Sequence, residues 1–337
     1  MPWADLLQGS EHIPARERVM PVNLNVLVST FESVALLLGV GALGLWIIGK
    51  RILPKEALSI MSILALDIAL PSLVFVNILV NFKPSEFQTW WHLPLWWAGL
   101  TVSLGCLTAV FSLLSKPGHR REFAVSLFFQ NALFFPLAIL TGMFGKDSPY
   151  IVHLFFFILL FPSLLFSTAH LFFGKAQKSF VLGKILNRVL LATIAATILR
   201  LSGTDGFIPD FVISALRLIG DMALPLLLLI LGGNIYVDFK EQGEFFPAEA
   251  GTFVLVKNFI LPLCILAGLM ALRPPYHVAL LMTLQAAVPP VTAVPILTER
   301  AGGNREIVNQ FMFSSFAVSL VSIPLIMTLF GLFFQPS

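Results

Sequence analysis

The chain is dominated by long apolar runs, about ten of which follow one another from residue 25 to residue 334. A helix of roughly 20 apolar residues spans the hydrocarbon core of a bilayer, which is about 30 Å thick. Each run is therefore predicted to form one membrane-spanning helix. The runs, numbered one to ten, are 25–49, 57–79, 92–114, 123–144, 150–173, 184–202, 210–235, 247–272, 277–299 and 306–334.

Composition supports a membrane location. Hydrophobic residues make up 57% of the 337 residues and charged residues only 12%, and the mean hydropathy is +0.90. A soluble domain has roughly a quarter of its residues charged, so the outer surface of this chain is expected to face a lipid bilayer. A net charge of +3 is too small and too dispersed to predict a nucleic-acid partner.

The domain organisation follows from the spacing of the runs, whose connections are short. We expect a polar N-terminal tail at 1–24, in which we find no pattern typical of a signal peptide. A first five-helix half at 25–173, a short basic cytoplasmic connection at 174–183 and a second five-helix half at 184–337 follow.

Basic residues predict the orientation, because cytoplasmic connections carry an excess of lysine and arginine. Most of them lie in the connections that follow odd-numbered runs, which are therefore predicted to be cytoplasmic. Both termini are then expected on the non-cytoplasmic side. The residues that carry this prediction are Lys50, Arg51, Lys55, Lys116, Arg120, Arg121, Lys175, Lys178, Lys184, Lys240, Arg300 and Arg305.

An internal similarity relates the two halves. The segment Asp67–Pro71 reads DIALP, and Asp221–Pro225, 154 positions later, reads DMALP. Asn77 follows the first segment and Asn234 the second. A charge inside the membrane usually marks a pathway, a relay or an ion pair. These two aspartates and two asparagines are therefore candidates for coupling a proton or another ion.

A second pair of segments has the same offset. Gln130 and Asn131 precede Pro136, and Gln285 precedes Pro290, which is again 154 positions after Pro136. Two such matches favour an internal repeat of five helices. Because five is odd, the second repeat enters the membrane from the opposite face. Inverted repeats with interrupted helices are typical of secondary transporters.

Prolines predict interruptions in the fourth and ninth runs. Each proline removes one backbone N–H, and unwound backbone persists in a membrane only inside protein or beside a wet cavity. Half-helices beginning near Pro136 and Pro290 are expected to point their positive ends at the middle of the membrane, where an anion would bind. The candidate substrate-binding residues here are Gln130, Asn131, Pro136, Gln285, Pro289 and Pro290.

Lys257 and Asn258 lie midway along the eighth run and complete the candidate substrate site. Lys257 is a candidate counter-charge for a substrate carboxylate. The alternative is an ion pair with Asp67 or Asp221 that only fixes helix packing, and the sequence does not decide between the two.

Several segments resemble the auxin efflux carrier family of membrane transport proteins, in its short-loop, bacterial-type branch. They are Ala69–Pro71, Gln130–Pro136, Leu218–Asn234 (LIGDMALPLLLLILGGN) and Ala286–Arg300 (AAVPPVTAVPILTER). The resemblance implies ten helices in two inverted repeats, with the fourth and ninth helices crossing at the site. Asn131 and the Pro289-Pro290 interruption match the crossing positions of the family.

The resemblance also implies a function, which is secondary transport of a small organic anion, either auxin-like or a dicarboxylate. Helices 3–5 and 8–10 are expected to move like an elevator against helices 1, 2, 6 and 7. A homodimer is expected to form through helices 1, 2, 6 and 7. The expected location is the cell (inner) membrane.

Two other transport-related functions remain open, a sodium-coupled symporter of the bile acid transporter type and a transporter-like sensor. Neutral amide oxygens at the interruptions suit sodium as well as an organic anion. The chain has no His-Glu-x-x-His motif, no cluster of paired aspartates and no nucleophile beside a histidine. We therefore expect no enzymatic activity, no catalytic residues, no metal and no cofactor.

Overall fold

The secondary structure is helical throughout. In a computed structural model of the chain, the described residues are 22–174, 187–240 and 246–335, and no strand lies within them. The prediction of an all-α membrane protein is therefore confirmed. The predicted tail as far as residue 21, and the predicted connection from residue 175 onward, lie outside the described residues.

The sixteen α-helices of the described residues vary in length, because several of the predicted runs are divided. They are α1 (Val22–Gly49), α2 (Ala57–Ile63), α3 (Leu70–Asn81), α4 (Leu93–Phe111), α5 (Arg120–Phe128), α6 (Phe134–Phe144), α7 (Pro149–Phe157), α8 (Phe161–Thr168), α9 (Arg188–Ser202), α10 (Asp210–Gly220), α11 (Ala223–Lys240), α12 (Pro247–Leu255), α13 (Leu261–Leu272), α14 (Tyr276–Ala287), α15 (Val294–Arg300) and α16 (Arg305–Phe333).

Seven stretches of the described residues are helical, long and apolar enough to cross a membrane, compared with the ten predicted. The fourth and ninth runs are each divided into two shorter helices, and the helix in the sixth run begins at Arg188. The seven stretches are Val26–Gly49, Ala57–Asn81, Trp90–Leu114, Pro149–Phe173, Asp210–Lys240, Pro247–Leu272 and Arg305–Phe333.

Large apolar side chains cover much of the outer surface. Ile60, Val102 and Leu272 are 71%, 66% and 67% exposed. An apolar surface of this extent is stable only against lipid or another protein. The lipid bilayer predicted from composition is therefore the environment that this surface fits.

Two helical stretches contain a π-helical segment just before a proline. The segment Leu64–Ala69 precedes Pro71, and the segment Val256–Ile260 precedes Pro262. A proline cannot donate to the carbonyl four residues earlier, and the wider π turn accommodates this loss. Such segments frequently occur at functional sites. Asp67 lies in the first one and Lys257 in the second.

Glycines allow α1 and α11 to pack with their backbones in contact. A Cβ atom placed on Gly232 would lie 1.6 Å from the carbonyl oxygen of Gly41, and one placed on Gly44 would lie 2.2 Å from the carbonyl oxygen of Leu229. Close approach at small residues is a main source of helix association in membranes. This contact joins the first and seventh predicted runs.

We expect Gly232→Ala to destabilise the protein, because the added methyl group forces α1 and α11 apart. Overpacking of this kind costs about 1–3 kcal/mol. The measurement is the midpoint of thermal unfolding of the purified protein in detergent. Gly99→Ala is the matched control, because nothing lies within 4 Å of a Cβ atom built at Gly99. An unchanged midpoint for Gly232→Ala would contradict the backbone contact.

Candidate functional site

The fourth and ninth runs are interrupted, and the two interruptions meet. Residues 129–133 separate α5 from α6, and residues 288–293 separate α14 from α15. The N–H of Asn131 donates to the carbonyl of Pro289 at 2.8 Å, and the N–H of Val291 donates to the carbonyl of Phe129 at 3.0 Å. Gln130 and Pro290 thereby form an antiparallel bridge. We call these two segments the crossover.

The prolines predicted to break the helices occupy different positions relative to the crossover. Pro289 and Pro290 lie within the interruption, and Val288 before them is extended with ψ 151°, as a residue preceding proline tends to be. The helix expected to begin near Pro290 begins instead at Val294, with Pro295 in its first turn. Pro136 lies in the first turn of α6, where its missing N–H has no helical partner to lose.

Asn131 begins α6. Its Oδ1 accepts a hydrogen bond from the N–H of Phe134 at 3.0 Å. The residue is 1% exposed, and its Nδ2 has no hydrogen-bond partner among the described residues. A buried amide donor without a protein partner is rare, so Asn131 presents one hydrogen-bond donor at the crossover that the protein does not use.

Gln285, near the end of α14, forms a side-chain hydrogen bond to the interruption between α5 and α6. It is fully buried, and its Nε2 donates to the carbonyl of Ala132 at 2.7 Å. Its Oε1 has no hydrogen-bond partner among the described residues. The crossover therefore presents an unused acceptor as well as an unused donor. Gln130 is also buried, at 3% exposure, and takes part through its backbone.

Lys257 contacts the end of α14, next to the crossover. It is fully buried, and its Nζ lies 3.4 Å from the carbonyl oxygen of Ala286. That carbonyl is one of those left free by the prolines, at the negative end of the helix dipole. Within the described part of the chain, no carboxylate forms an ion pair with Lys257. The alternative of an ion pair with Asp67 or Asp221 is therefore wrong.

Asn258 faces α16 and not the crossover. Its Nδ2 donates to the carbonyl of Ser315 at 3.0 Å and to Ser322 Oγ at 3.1 Å, while its Oδ1 accepts from Ser315 Oγ at 2.7 Å. Both ends of the amide are satisfied within the protein. The structure thus separates the two neighbouring candidates, one at the crossover and one in helix packing.

A cavity of about 370 Å³ adjoins the crossover. Asn131, Thr292, Asp67, Asn187 and Arg188 contribute polar groups to its wall. Most of the remaining wall is apolar. The cavity size falls within the range typical of small-molecule sites. Its apolar lining is Leu66, Leu70, Ala132, Leu133, Phe134, Phe155, Ile158, Leu159, Phe161, Pro162, Leu165, Phe166, Val189, Leu190, Val291 and Ala293.

The four candidates for ion coupling do not meet. Asp67 forms an ion pair with Arg188 in the cavity wall. Asp221 and Asn77 line a separate cavity of about 30 Å³, and Asn234 lies half-buried on α11. Only Asp67 is near the crossover.

Asp221 belongs to an ion-pair cluster that joins two parts of the chain. Lys146 Nζ lies 3.3 Å from Asp221 Oδ2, and Arg217 Nη1 lies 3.6 Å from Asp147 Oδ1. Lys146 and Asp147 lie in the connection between α6 and α7. The others lie at the end of α10. We call these four residues the ion-pair cluster.

Sequence reasoning missed Arg188 and Thr292 as lining residues. Arg188 is the first residue of α9, and Asn187 caps that helix by accepting from the N–H of Leu190 at 2.8 Å. An asparagine before an apolar helical run is a recognisable helix start. That pattern locates Arg188 at a helix N-terminus, but the nearness of Asp67 depends on tertiary packing.

A comparison with protein families identifies the chain. A family model described as membrane transport protein matches residues 29–182 and 172–327. No curated protein matches the chain significantly. The two matched ranges cover most of the chain. The chain therefore belongs to the membrane transport protein family, which includes the auxin efflux carriers, and the resemblance drawn from its sequence is confirmed.

Proposed function

We propose that the chain is a secondary active transporter that binds a small organic anion at the crossover and carries it across the membrane by alternating access. Its family is one of membrane transporters. The observation that carries the proposal is the pair of unused hydrogen-bonding atoms, Asn131 Nδ2 and Gln285 Oε1, beside a cavity that Asn131 lines.

Electrostatics at the crossover favour an anion. The N-terminus of α6, which carries partial positive charge, points at the interruption, and the amide donor of Asn131 lies at the same place. Fully buried Lys257 lies behind α14. The N-terminus of α6 and Asn131 offer positive potential and a hydrogen-bond donor to a carboxylate, and the apolar wall suits the body of an organic molecule.

Ten crossing helices in two inverted repeats are part of the proposal. The antiparallel contact of two interruptions, one in the fourth run and one in the ninth, supports it. The division into halves at 25–173 and 184–337 follows from the spacing of the apolar runs. Two interrupted helices that cross at the midplane are the arrangement on which alternating access depends in such repeats.

An elevator-like movement is the mechanism we propose. The parts expected to stay fixed pack on each other, α1 on α11 and α3 on α9. The cavity lies beside the beginning of α9, which the basic residues predict to be cytoplasmic. In this proposal the cavity opens to the cytoplasm in an inward-open state, and the ion-pair cluster lies on the opposite side of the membrane. The homodimer through helices 1, 2, 6 and 7, and the inner-membrane location with both termini outside, remain predictions.

Transport is tested by measuring charge movement in proteoliposomes after rapid addition of mono- and dicarboxylates. A saturable current for one acid is the expected result. Its dependence on a pH gradient or on sodium identifies the coupling ion and separates this proposal from a sodium symporter of the bile acid transporter type. A folded, inserted protein that binds an acid without any current or flux would favour a sensor.

We expect Asn131→Ser to weaken substrate binding without lowering stability. Serine keeps the helix cap and removes the amide donor, whereas Asn131→Ala removes both and costs about 1 kcal/mol of stability. The dissociation constant is expected to rise about tenfold in both variants, because a charge-assisted hydrogen bond is lost. Isothermal titration calorimetry and thermal unfolding provide the two measurements. Normal binding and transport by a folded Asn131→Ala, Gln285→Ala double variant would contradict this site.

We expect a reversible crosslink across the ion-pair cluster to stop transport, because the proposed movement separates Asp147 from Arg217. Asp147→Cys and Arg217→Cys are introduced after replacing Cys106 and Cys264, and the pair is joined by a bifunctional thiol reagent. Transport current is measured before and after reduction. The two single-cysteine variants, treated with the same reagent, are the controls. Full transport by the crosslinked protein would rule out movement at this place.

A further inference from the structure

We propose that Arg188 binds the carboxylate of the transported anion in competition with Asp67, which pairs with Arg188 in this structure. The inference rests on the proposed function and names the residues that recognise the charge of the substrate. Neither Arg188 nor its pairing with Asp67 was foreseen from the sequence.

The first argument for Arg188 as the anion-binding residue is the charge of the residues that line the cavity. Among the described residues that line the cavity, Arg188 is the only basic one and Asp67 the only acidic one. The side chain of Arg188 is 62% exposed and that of Asp67 is 38% exposed. A guanidinium group has five N–H donors in a planar fork. The pairing with Asp67 therefore leaves donors of Arg188 accessible to a second carboxylate.

Lys257, the cation predicted from the sequence to face the substrate, is not accessible in the same way. It is fully buried and does not line the cavity, and its amine is directed to the carbonyl oxygen of Ala286. A lysine in this position stabilises the end of α14. The cation that an incoming anion meets in the cavity is Arg188.

The surroundings of Arg188 also favour an anion. It is the first residue of α9, a helix of 15 residues, whose N-terminus carries partial positive charge. Asn131, whose Nδ2 is buried and has no partner among the described residues, lines the same cavity. In this cavity Arg188 can bind the carboxylate of an organic anion, and Asn131 can donate to a second acceptor atom of the anion. The apolar wall can contact its carbon skeleton.

Asp67 presents the same chemical group as the substrate does. Its carboxylate occupies Arg188 when no anion is bound, and an anion that reaches Arg188 has to displace it or share the guanidinium with it. Asp67 also repels an approaching anion, because like charges at short range raise the energy. Removing the charge of Asp67 is therefore expected to strengthen anion binding. A residue that only positions Arg188 would weaken binding when it is removed.

The experiment measures equilibrium binding of phenylacetate and succinate to the purified full chain by isothermal titration calorimetry, with transport current recorded in parallel. The variants are Arg188→Gln, Arg188→Lys and Asp67→Asn. Lys83→Gln is the matched control, because Lys83 forms an exposed ion pair with Glu86 outside the cavity. Thermal unfolding of each variant confirms that it is folded.

We expect Arg188→Gln to raise the dissociation constant of the bound probe at least about tenfold, and Arg188→Lys to restore part of the loss. Asp67→Asn is expected to lower the dissociation constant about threefold or more. Equal affinities of Arg188→Gln and Lys83→Gln, or weaker binding by Asp67→Asn, would overturn the inference.

The experiment tests the proposed transport function and the role of Arg188 by different results. Binding of a probe by the wild-type protein without any current or flux contradicts transport, while the ratios of dissociation constants still decide the role of Arg188. Transport that is unaffected in Arg188→Gln contradicts the role of Arg188 and leaves the proposed function standing. Failure of the wild-type protein to bind either probe overturns both.

Discussion

The pairing of two interrupted helices is the constraint on which the rest of the site depends. Backbone groups inside a membrane have no water to bond with, so unwound residues need partners within the protein. Residues 129–133 and 288–293 supply them to each other, through the N–H groups of Asn131 and Val291. Gln285 adds a side-chain bond to the carbonyl of Ala132. Each interruption is stable because the other one is present.

This mutual pairing leaves two side-chain atoms without a hydrogen-bond partner among the described residues, Asn131 Nδ2 and Gln285 Oε1. The backbone bonds and the cap of α6 use the Oδ1 of Asn131 and the Nε2 of Gln285, but not the other atom of either amide. One donor and one acceptor are thus held rigidly at the point where two distant parts of the chain cross. A site built on paired backbone segments is positioned more precisely than one built on a loop, which suits recognition of a small molecule.

Charged groups of the described residues occur in three different environments. Lys257 stabilises a helix end, Asp67 and Arg188 form an ion pair that the cavity leaves accessible, and the ion-pair cluster joins α10 to the connection between α6 and α7. Their environments differ from fully buried to largely exposed, so the same kind of residue serves packing in one place and recognition in another. An exposed ion pair adds little stability, which leaves Arg188 and the ion-pair cluster free to exchange partners.

The sequence by itself determined the membrane environment, the helical class, the family and the two places where helices break, because apolar run length and missing proline N–H groups act locally. It also identified Asn131 and Gln285 as the amides beside those breaks. Only the tertiary structure decided which side chains meet. It directed Lys257 to a carbonyl, Asn258 to α16 and Asp67 to Arg188, since partners on different helices are chosen by how the helices pack and not by any pattern along the chain.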